Sequence, residues 1–399
     1  MGASNSKLDK VILELPDDER YFGLENFGNT CYANSVLQTL YFCRPFRDRV
    51  LRYAAENPPG YGNENLLTCL ADLFLQTSSQ KKKTGFLSPR RLINRIKSEN
   101  ALFSNFMHQD AHEFLNYLLN DVSEILAREQ KAAASAPATP KSILTFGRGK
   151  DGRSPSLQEL AAASTASEAA SAQAQEPRTW LQEIFQGRLV NQTRCLCCET
   201  VTSREEDMFD LSLEIEPNCS VTSCLKKFSA TEVLDGADKF FCDQCNSLQE
   251  AQKFMRMRHL PQVLCLHLKR FKYNEQLGRL SKLSHRVVFP FELKVVNTTP
   301  DCPDADTPYD LFGVVVHMGA QPNHGHYVAL VKSCGQWVCF DDDQVIAVTE
   351  AQVQSTFGQP YDGGLVGSPN GVGVDHGYIL LYQRNSPAGE TPLPMDESP

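Results

Sequence analysis

Hydrophobic positions in the first third of the chain recur at helical spacing. Val36, Leu37, Leu40 and Tyr41 follow Asn29-Thr30, and Phe114, Leu115, Leu118, Leu119, Val122 and Ile125 repeat the pattern further on. Leu66-Leu67, Leu70, Leu73-Phe74, Leu92-Ile93 and Ile96 fill the interval. From residue 179 onward the apolar runs shorten and take β character: Met208 to Leu213, Val263 to Leu268, Val287 to Phe291, Leu311 to His317, Tyr327 to Val331 and Gly377 to Tyr382. Helices first and strands later predict an α+β fold, not alternating βα units. The two halves flank residues 128–178, which hold thirteen alanines, many Ser, Gln and Pro, and Phe146 as their single aromatic. Such a stretch buries too little apolar surface to offset its ordering entropy, so a disordered insertion is expected there. The organisation read from the pattern is a tail over 1–20, a helical part over 21–127, the insertion over 128–178, a β-rich part over 179–383 and a disordered tail over 384–399.

Charge narrows the partners. The 399 residues carry 39 Lys plus Arg against 48 Asp plus Glu, a formal net charge of −9. That balance opposes a general nucleic-acid binder and favours partners with basic segments. No apolar stretch approaches the roughly 18 residues that span a bilayer, and no signal-peptide core opens the chain. Fourteen cysteines, four of them in two C-x-x-C pairs, suit a reducing compartment with metal binding or catalysis. A soluble protein of the cytoplasm or nucleus is expected. At the extreme N-terminus, Met1-Gly2-Ala3-Ser4-Asn5-Ser6 fits the myristoylation pattern at Gly2. An unmodified polar tail is the alternative, and one acyl chain gives at most weak, reversible membrane attachment.

Two segments carry candidate chemistry. In Gly23 to Tyr32 a turn-rich stretch runs into a helix, with Asn29 or Thr30 as the N-cap and Cys31 in the first turn. There, free amides and the helix dipole favour a thiolate. Asn26 could aim an amide at a developing oxyanion. Taken alone, such a cysteine is more often a small buried hydrophobe. The second half supplies a base: Asn323 to Val331 is a bend entering a strand, and Trp337 to Phe340 is a second strand running into Asp341-Asp342-Asp343. Centring this hairpin on Ser333-Cys334-Gly335, with Gly335 taking any positive φ, sets His326 directly opposite Asp341 on one face. An acid beside an imidazole fixes its tautomer and stabilises the imidazolium.

The C-x-x-C pairs are Cys195/Cys198 and Cys242/Cys245. Four thiolates suit a closed, tetrahedral structural zinc. Cys195-x-Cys197 is a competing knuckle, and reduced, unligated thiols are the bland alternative.

These segments together resemble the ubiquitin-specific proteases. GLENFGNTCYAN (Gly23 to Asn34) is similar to that family's cysteine box, QDAHEF (Gln109 to Phe114) and HLKRF (His267 to Phe271) to two further boxes, His317 through Asp343 to the histidine box, and GYILLY (Gly377 to Tyr382) to its closing strand. The matches stand in family order. The resemblance implies a papain-like hand with a helical thumb, a β palm and zinc-binding β fingers, and hydrolysis at the C-terminal glycine of ubiquitin. It makes Cys31 the nucleophile, His326 the base, Asp341 its orienting acid with Asp342 as runner-up, Asn26 the oxyanion donor, and Asp110 an acid that holds a basic residue of the ubiquitin tail. It also implies a structural zinc, no organic cofactor, and a WD-repeat β-propeller activator on the fingers. The rival from another class is a catalytically weak, ubiquitin-binding scaffold that needs a partner for activity.

Overall fold

A computed structural model describes residues 19–58, 64–105, 107–135, 178–275, 278–322, 324–360 and 375–385. Two compact units divide the chain: residues 1–123 with 180–399, and residues 124–179. Of the second, the described part is the end of the helix Ala111–Ser135 and residues 178–179. That helix continues past 127, so the start of the Ala/Ser-rich stretch is helical, as alanine's propensity allows. Gly2, residues 136–177 of that stretch and the tail beyond Asn385 lie outside the described residues. Among those described, no helix is long and apolar enough to cross a membrane.

The predicted helices form as Cys31–Tyr41, Leu66–Ser78, Arg90–Glu99 and Ala111–Ser135, and Arg44–Glu56 is a further helix that the spacing did not single out. Their starts follow local chemistry. Asn65 and Thr68 close a reciprocal capping box, and Pro45 stands in the first turn of Arg44–Glu56, where a missing N–H costs little. All eleven residues of Cys31–Tyr41 are buried, so this helix is a central post and not an amphipathic surface element. Its polar residues are used to hold it. Gln38 Nε2 donates to the carbonyl of Phe22 at 2.7 Å, and Asn34 Nδ2 to that of Leu24 at 3.2 Å. Both tie the helix to the short strand Tyr21–Leu24, which pairs in parallel with Thr84–Leu87. This strand pair lies in a region whose periodicity predicted mostly helix.

The main sheet has eight strands, seven of them in the order Gln344–Val348, Gln336–Asp341, His324–Ser333, Tyr309–Gln321, His376–Arg384, Val263–Leu268 and Asp210–Leu213. Glu292–Leu293 pairs with Tyr309–Gln321 off this path. Neighbours on the path are antiparallel except the last pair. Val263–Leu268 is buried at every position, so its apolar residues run without alternation and His267 is its single polar member. A second, four-stranded sheet sets Val201–Met208, Gly187–Cys195, Ala251–His259 and Glu232–Leu234 side by side. Helix-rich segment, central sheet and outlying sheet correspond to the expected thumb, palm and fingers.

Candidate active site

The chain enters the Cys31 helix through two consecutive left-handed residues, Gly28 (φ 73°) and Asn29 (φ 61°). Thr30, not Asn29, is the N-cap, and its side chain makes no cap bond to the helix. Instead its Oγ1 accepts from the Phe27 N–H at 2.9 Å, while the Thr30 N–H donates to Asn26 Oδ1 at 3.1 Å. This closed turn leaves Cys31 as the first helical residue, 2% exposed. The Ala33 and Asn34 amides both donate to the Thr30 carbonyl at 3.0 Å, and the positive end of the helix dipole at Cys31 favours an anion.

The hairpin that carries the histidine has a different register from the one expected. Its turn is Cys334-Gly335, with both residues at positive φ (49° and 83°), so Ser333 pairs with Gln336 and Ala329 with Phe340. A two-residue turn of this kind matches the twist of its strands. Carried one step further, the ladder sets Asp341 level with Val328, two residues from His326. A shift of two keeps the face, so His326 and Asp341 are diagonal neighbours, not direct opposites. They still meet: His326 Nε2 lies 2.6 Å from Asp341 Oδ1. The imidazole pKa is raised to about 10, first by the Asp341 carboxylate and next by the Cys31 thiol, against the effect of burial. Because Nε2 faces Asp341, Nδ1 is the nitrogen left for the thiol. Asp341 is in turn held below the usual carboxylate range by His326.

Asp342 takes a different position. It stands in a tight turn at φ 49° and lies 3.9 Å from His326 Nε2, beyond hydrogen-bond reach. Its Oδ2 accepts from Asn26 Nδ2 at 2.8 Å and its Oδ1 from Asn34 Nδ2 at 2.9 Å. Asn26 therefore has its carbonyl on the Thr30 turn and one amide hydrogen on Asp342, with the second amide hydrogen left to donate. The Asp342-Asp343 turn is pressed against the strand Tyr21–Leu24. Leu24 N donates to the Asp342 carbonyl at 2.8 Å, and a Cβ on Gly23 would stand 2.6 Å from the Asp343 backbone. Asn34 and Gly23 were given no role of their own from sequence. Their signals are a buried amide one helical turn after Cys31 and a glycine in a strand.

Asp110 caps the helix Ala111–Ser135: its Oδ1 accepts from the His112 N–H at 2.7 Å, and its Oδ2 accepts from Tyr378 Oη at 2.6 Å. Tyr378 also escaped the sequence reading. The His112 ring stacks on His267 at 3.7 Å between centroids and bonds Asp210 Oδ2 at 2.7 Å. The QDAHEF, HLKRF and GYILLY segments thus interlock around one seam between helix and sheet.

Far along the sequence from these, Cys195, Cys198, Cys242 and Cys245 place their four sulfurs within 4.8 Å of one another. The contacts Cys195–Cys245 and Cys198–Cys242 are 4.0 and 3.5 Å. A tetrahedral site with Zn–S bonds of about 2.3 Å has S–S edges of about 3.8 Å, so the set fits zinc. Cys197 is exposed and outside the cluster. Each knuckle closes on a left-handed residue, Glu199 (φ 59°) and Asn246 (φ 50°).

A protein-family model described as Ubiquitin carboxyl-terminal hydrolase matches residues 22–382, a span that holds the whole of this constellation. The chain belongs to that family. Ubiquitin carboxyl-terminal hydrolase 4 of Arabidopsis thaliana is 54% identical over 384 residues, covering 96% of this chain and 99% of the relative. Ubiquitin carboxyl-terminal hydrolase 12 of Salmo salar is 48% identical over 385 residues, covering 96% and 95%. The solved structure of the SAGA Ubp8/Sgf11/Sus1/Sgf73 DUB module bound to ubiquitin aldehyde superposes with a TM-score of 0.67 at 22% identity, over 96% of this chain and 74% of that one. That likeness shows the fold. This ubiquitin carboxyl-terminal hydrolase is a cysteine-type deubiquitinase of the ubiquitin-specific protease kind.

Proposed function

We propose that Cys31, His326 and Asp341 carry out the hydrolysis, with the bond cut lying after the C-terminal glycine of ubiquitin. The observation that carries this assignment is one imidazole held between a carboxylate at 2.6 Å and the thiol at a helix N-terminus. His326 takes the thiol proton, and the thiolate so formed attacks the carbonyl. The same imidazolium then gives the proton to the departing amine. His326 next draws a proton from water, which attacks the thioester, and the thiol and the ubiquitin carboxylate are released. Asn26 donates its second amide hydrogen to the oxyanion, alongside backbone amides near Cys31. Asp342 acts through Asn26 and Asn34, as a positioning residue. Asp110, although it caps a helix and accepts from Tyr378, keeps lone pairs for a basic residue of the ubiquitin tail.

Cys195, Cys198, Cys242 and Cys245 would hold a structural zinc whose binding energy is folding energy for the fingers. A WD-repeat β-propeller on the fingers is supported by the family resemblance and by Val201, Val233, Phe241 and Leu248, which are exposed there. Myristoylation at Gly2 and residence in cytoplasm or nucleus complete the proposal.

The test is reaction with ubiquitin bearing a C-terminal electrophile, read by intact mass. One ubiquitin should add, and Cys31→Ala should abolish the adduct while retaining ubiquitin binding. Binding without an adduct, in the presence of a propeller partner as well as alone, would favour the scaffold and overturn the enzymatic assignment.

A further inference from the structure

Ser220 caps the helix Val221–Phe228 through a capping box with Ser223. Cys219 immediately precedes that cap, and Cys224 lies one turn inside the helix. These are the two positions that a hydrophobic staple brings together across a helix start. Here both are cysteines, and their sulfurs stand 3.5 Å apart. Cys219 is half-buried and Cys224 is 4% exposed. The Glu216 N–H points at the Cys219 sulfur from 3.5 Å.

A second observation concerns Arg270, which is wholly buried. Its Nε donates to the Gly377 carbonyl at 2.7 Å and its Nη1 to the Leu283 and His285 carbonyls at 3.2 and 2.9 Å. Its Nη2 is buried with no hydrogen-bond partner, and no carboxylate pairs with it among the described residues. A buried guanidinium without a counter-ion is costly. The favourable charge interactions it does have come from Cys219 and Cys224. Reciprocally, Cys219 is held below the usual thiol range, first by the hydrogen bond from Cys224, with the Glu216 amide and Arg270 adding to it against burial.

We propose that Cys219 and Cys224 form a peroxide-oxidised dithiol: Cys219 is the attacking thiolate, Cys224 the resolving thiol and Arg270 the buried cation that favours the anion. Neither residue belongs to the Cys31 site or the four-cysteine cluster. The Cys219 thiolate attacks one oxygen of hydrogen peroxide. The O–O bond breaks, and the leaving hydroxide takes up a proton to become water, leaving a sulfenic acid. The Cys224 sulfur then attacks the Cys219 sulfur; the S–O bond breaks, and hydroxide leaves with the Cys224 proton as a second water. Two thiols lose two electrons to the peroxide and become a disulfide. The sulfurs close from 3.5 Å to about 2.05 Å, a movement that side-chain rotation within a staple can supply.

Trypsin cuts after Arg204 and Lys226, and the segment between holds these two cysteines and no others. The full, zinc-loaded protein is exposed to hydrogen peroxide, quenched with N-ethylmaleimide, digested and weighed. The segment should lose both maleimides together and two hydrogens with them, and dithiothreitol should restore both sites. Loss should run roughly tenfold or more ahead of that at Cys43 and Cys265, whose thiols burial pushes up. In Cys224→Ser, the sulfenic acid at Cys219 should be trapped by dimedone. Two alkylatable thiols persisting at exposures that block Cys31 would overturn the proposal. So would oxidation of Cys219 to the sulfinic acid without the disulfide.

Discussion

Removing the Asp341 side chain separates what that acid does by charge from what it does by geometry. Asp341→Ala takes away both; Asp341→Asn keeps an acceptor for the His326 Nε2–H and removes the charge. The pair is partly exposed, with side chains 34% and 43% accessible, so a high effective dielectric applies. At 2.6 Å, Coulomb attraction is about 1.6 kcal/mol in bulk water and about 3 kcal/mol at half that dielectric. Divided by about 1.4 kcal/mol per unit, that is a fall of roughly 1–2 units in the His326 pKa, from about 10. Asp342, still 3.9 Å away, limits the fall. With ubiquitin bearing a C-terminal fluorophore as substrate, Asp341→Ala should lower kcat by roughly 10²–10⁴-fold with KM little changed, because an unanchored imidazole loses orientation. Asp341→Asn should recover most of the rate, while the alkaline limb of its pH profile moves down by the same 1–2 units. The stability effect has a definite sign. His326, with its pKa raised, contributes fully below its ordinary value of about 6.5 and loses that contribution as pH rises through about 10. Asp341, with its pKa lowered, contributes above its ordinary value of about 3.9 and less as pH falls further. The melting temperature of Asp341→Ala should therefore differ from wild type most between these limits. The reasoning is refuted if Asp341→Ala stays within about threefold of wild type while Asp342→Ala takes the whole loss.

Two further perturbations probe the supports. Gly23→Ala drives a methyl into the backbone of Asp342 and Asp343, which cannot rotate away; a stability loss of about 1–3 kcal/mol is expected by thermal melting, with kcat falling further because the turn under Asn26 moves. An alanine variant that matches wild type in both would show that the close approach is immaterial. Cys195→Ser should release zinc, measured by native mass, and lower the melting temperature; unchanged stoichiometry and stability would remove the metal assignment.

Helices and strands were legible where the chain's own period declares them. The post Cys31–Tyr41 and the strands Val263–Leu268 and His376–Arg384 follow from apolar spacing, and the knuckles from C-x-x-C. Parity is local as well: a hairpin centred near Cys334 puts His326 and Asp341 on one face even when its register is two residues off. What periodicity could not specify is which side chains meet across long separations. Nothing in the spacing of Asp341 and Asp342 says that one faces the imidazole and the other holds two asparagines. That division exists because a left-handed Asp342 turns its carboxylate away from the hairpin, toward a turn more than three hundred residues earlier. Tyr378 reaching Asp110, and Arg270 reaching the Gly377 carbonyl, are likewise products of packing. Local sequence determined the elements, the knuckles and the candidate chemistry. Tertiary structure decided the partners, because a side chain's partner depends on which backbones approach closely enough, and a glycine such as Gly23 matters only once something lies against it.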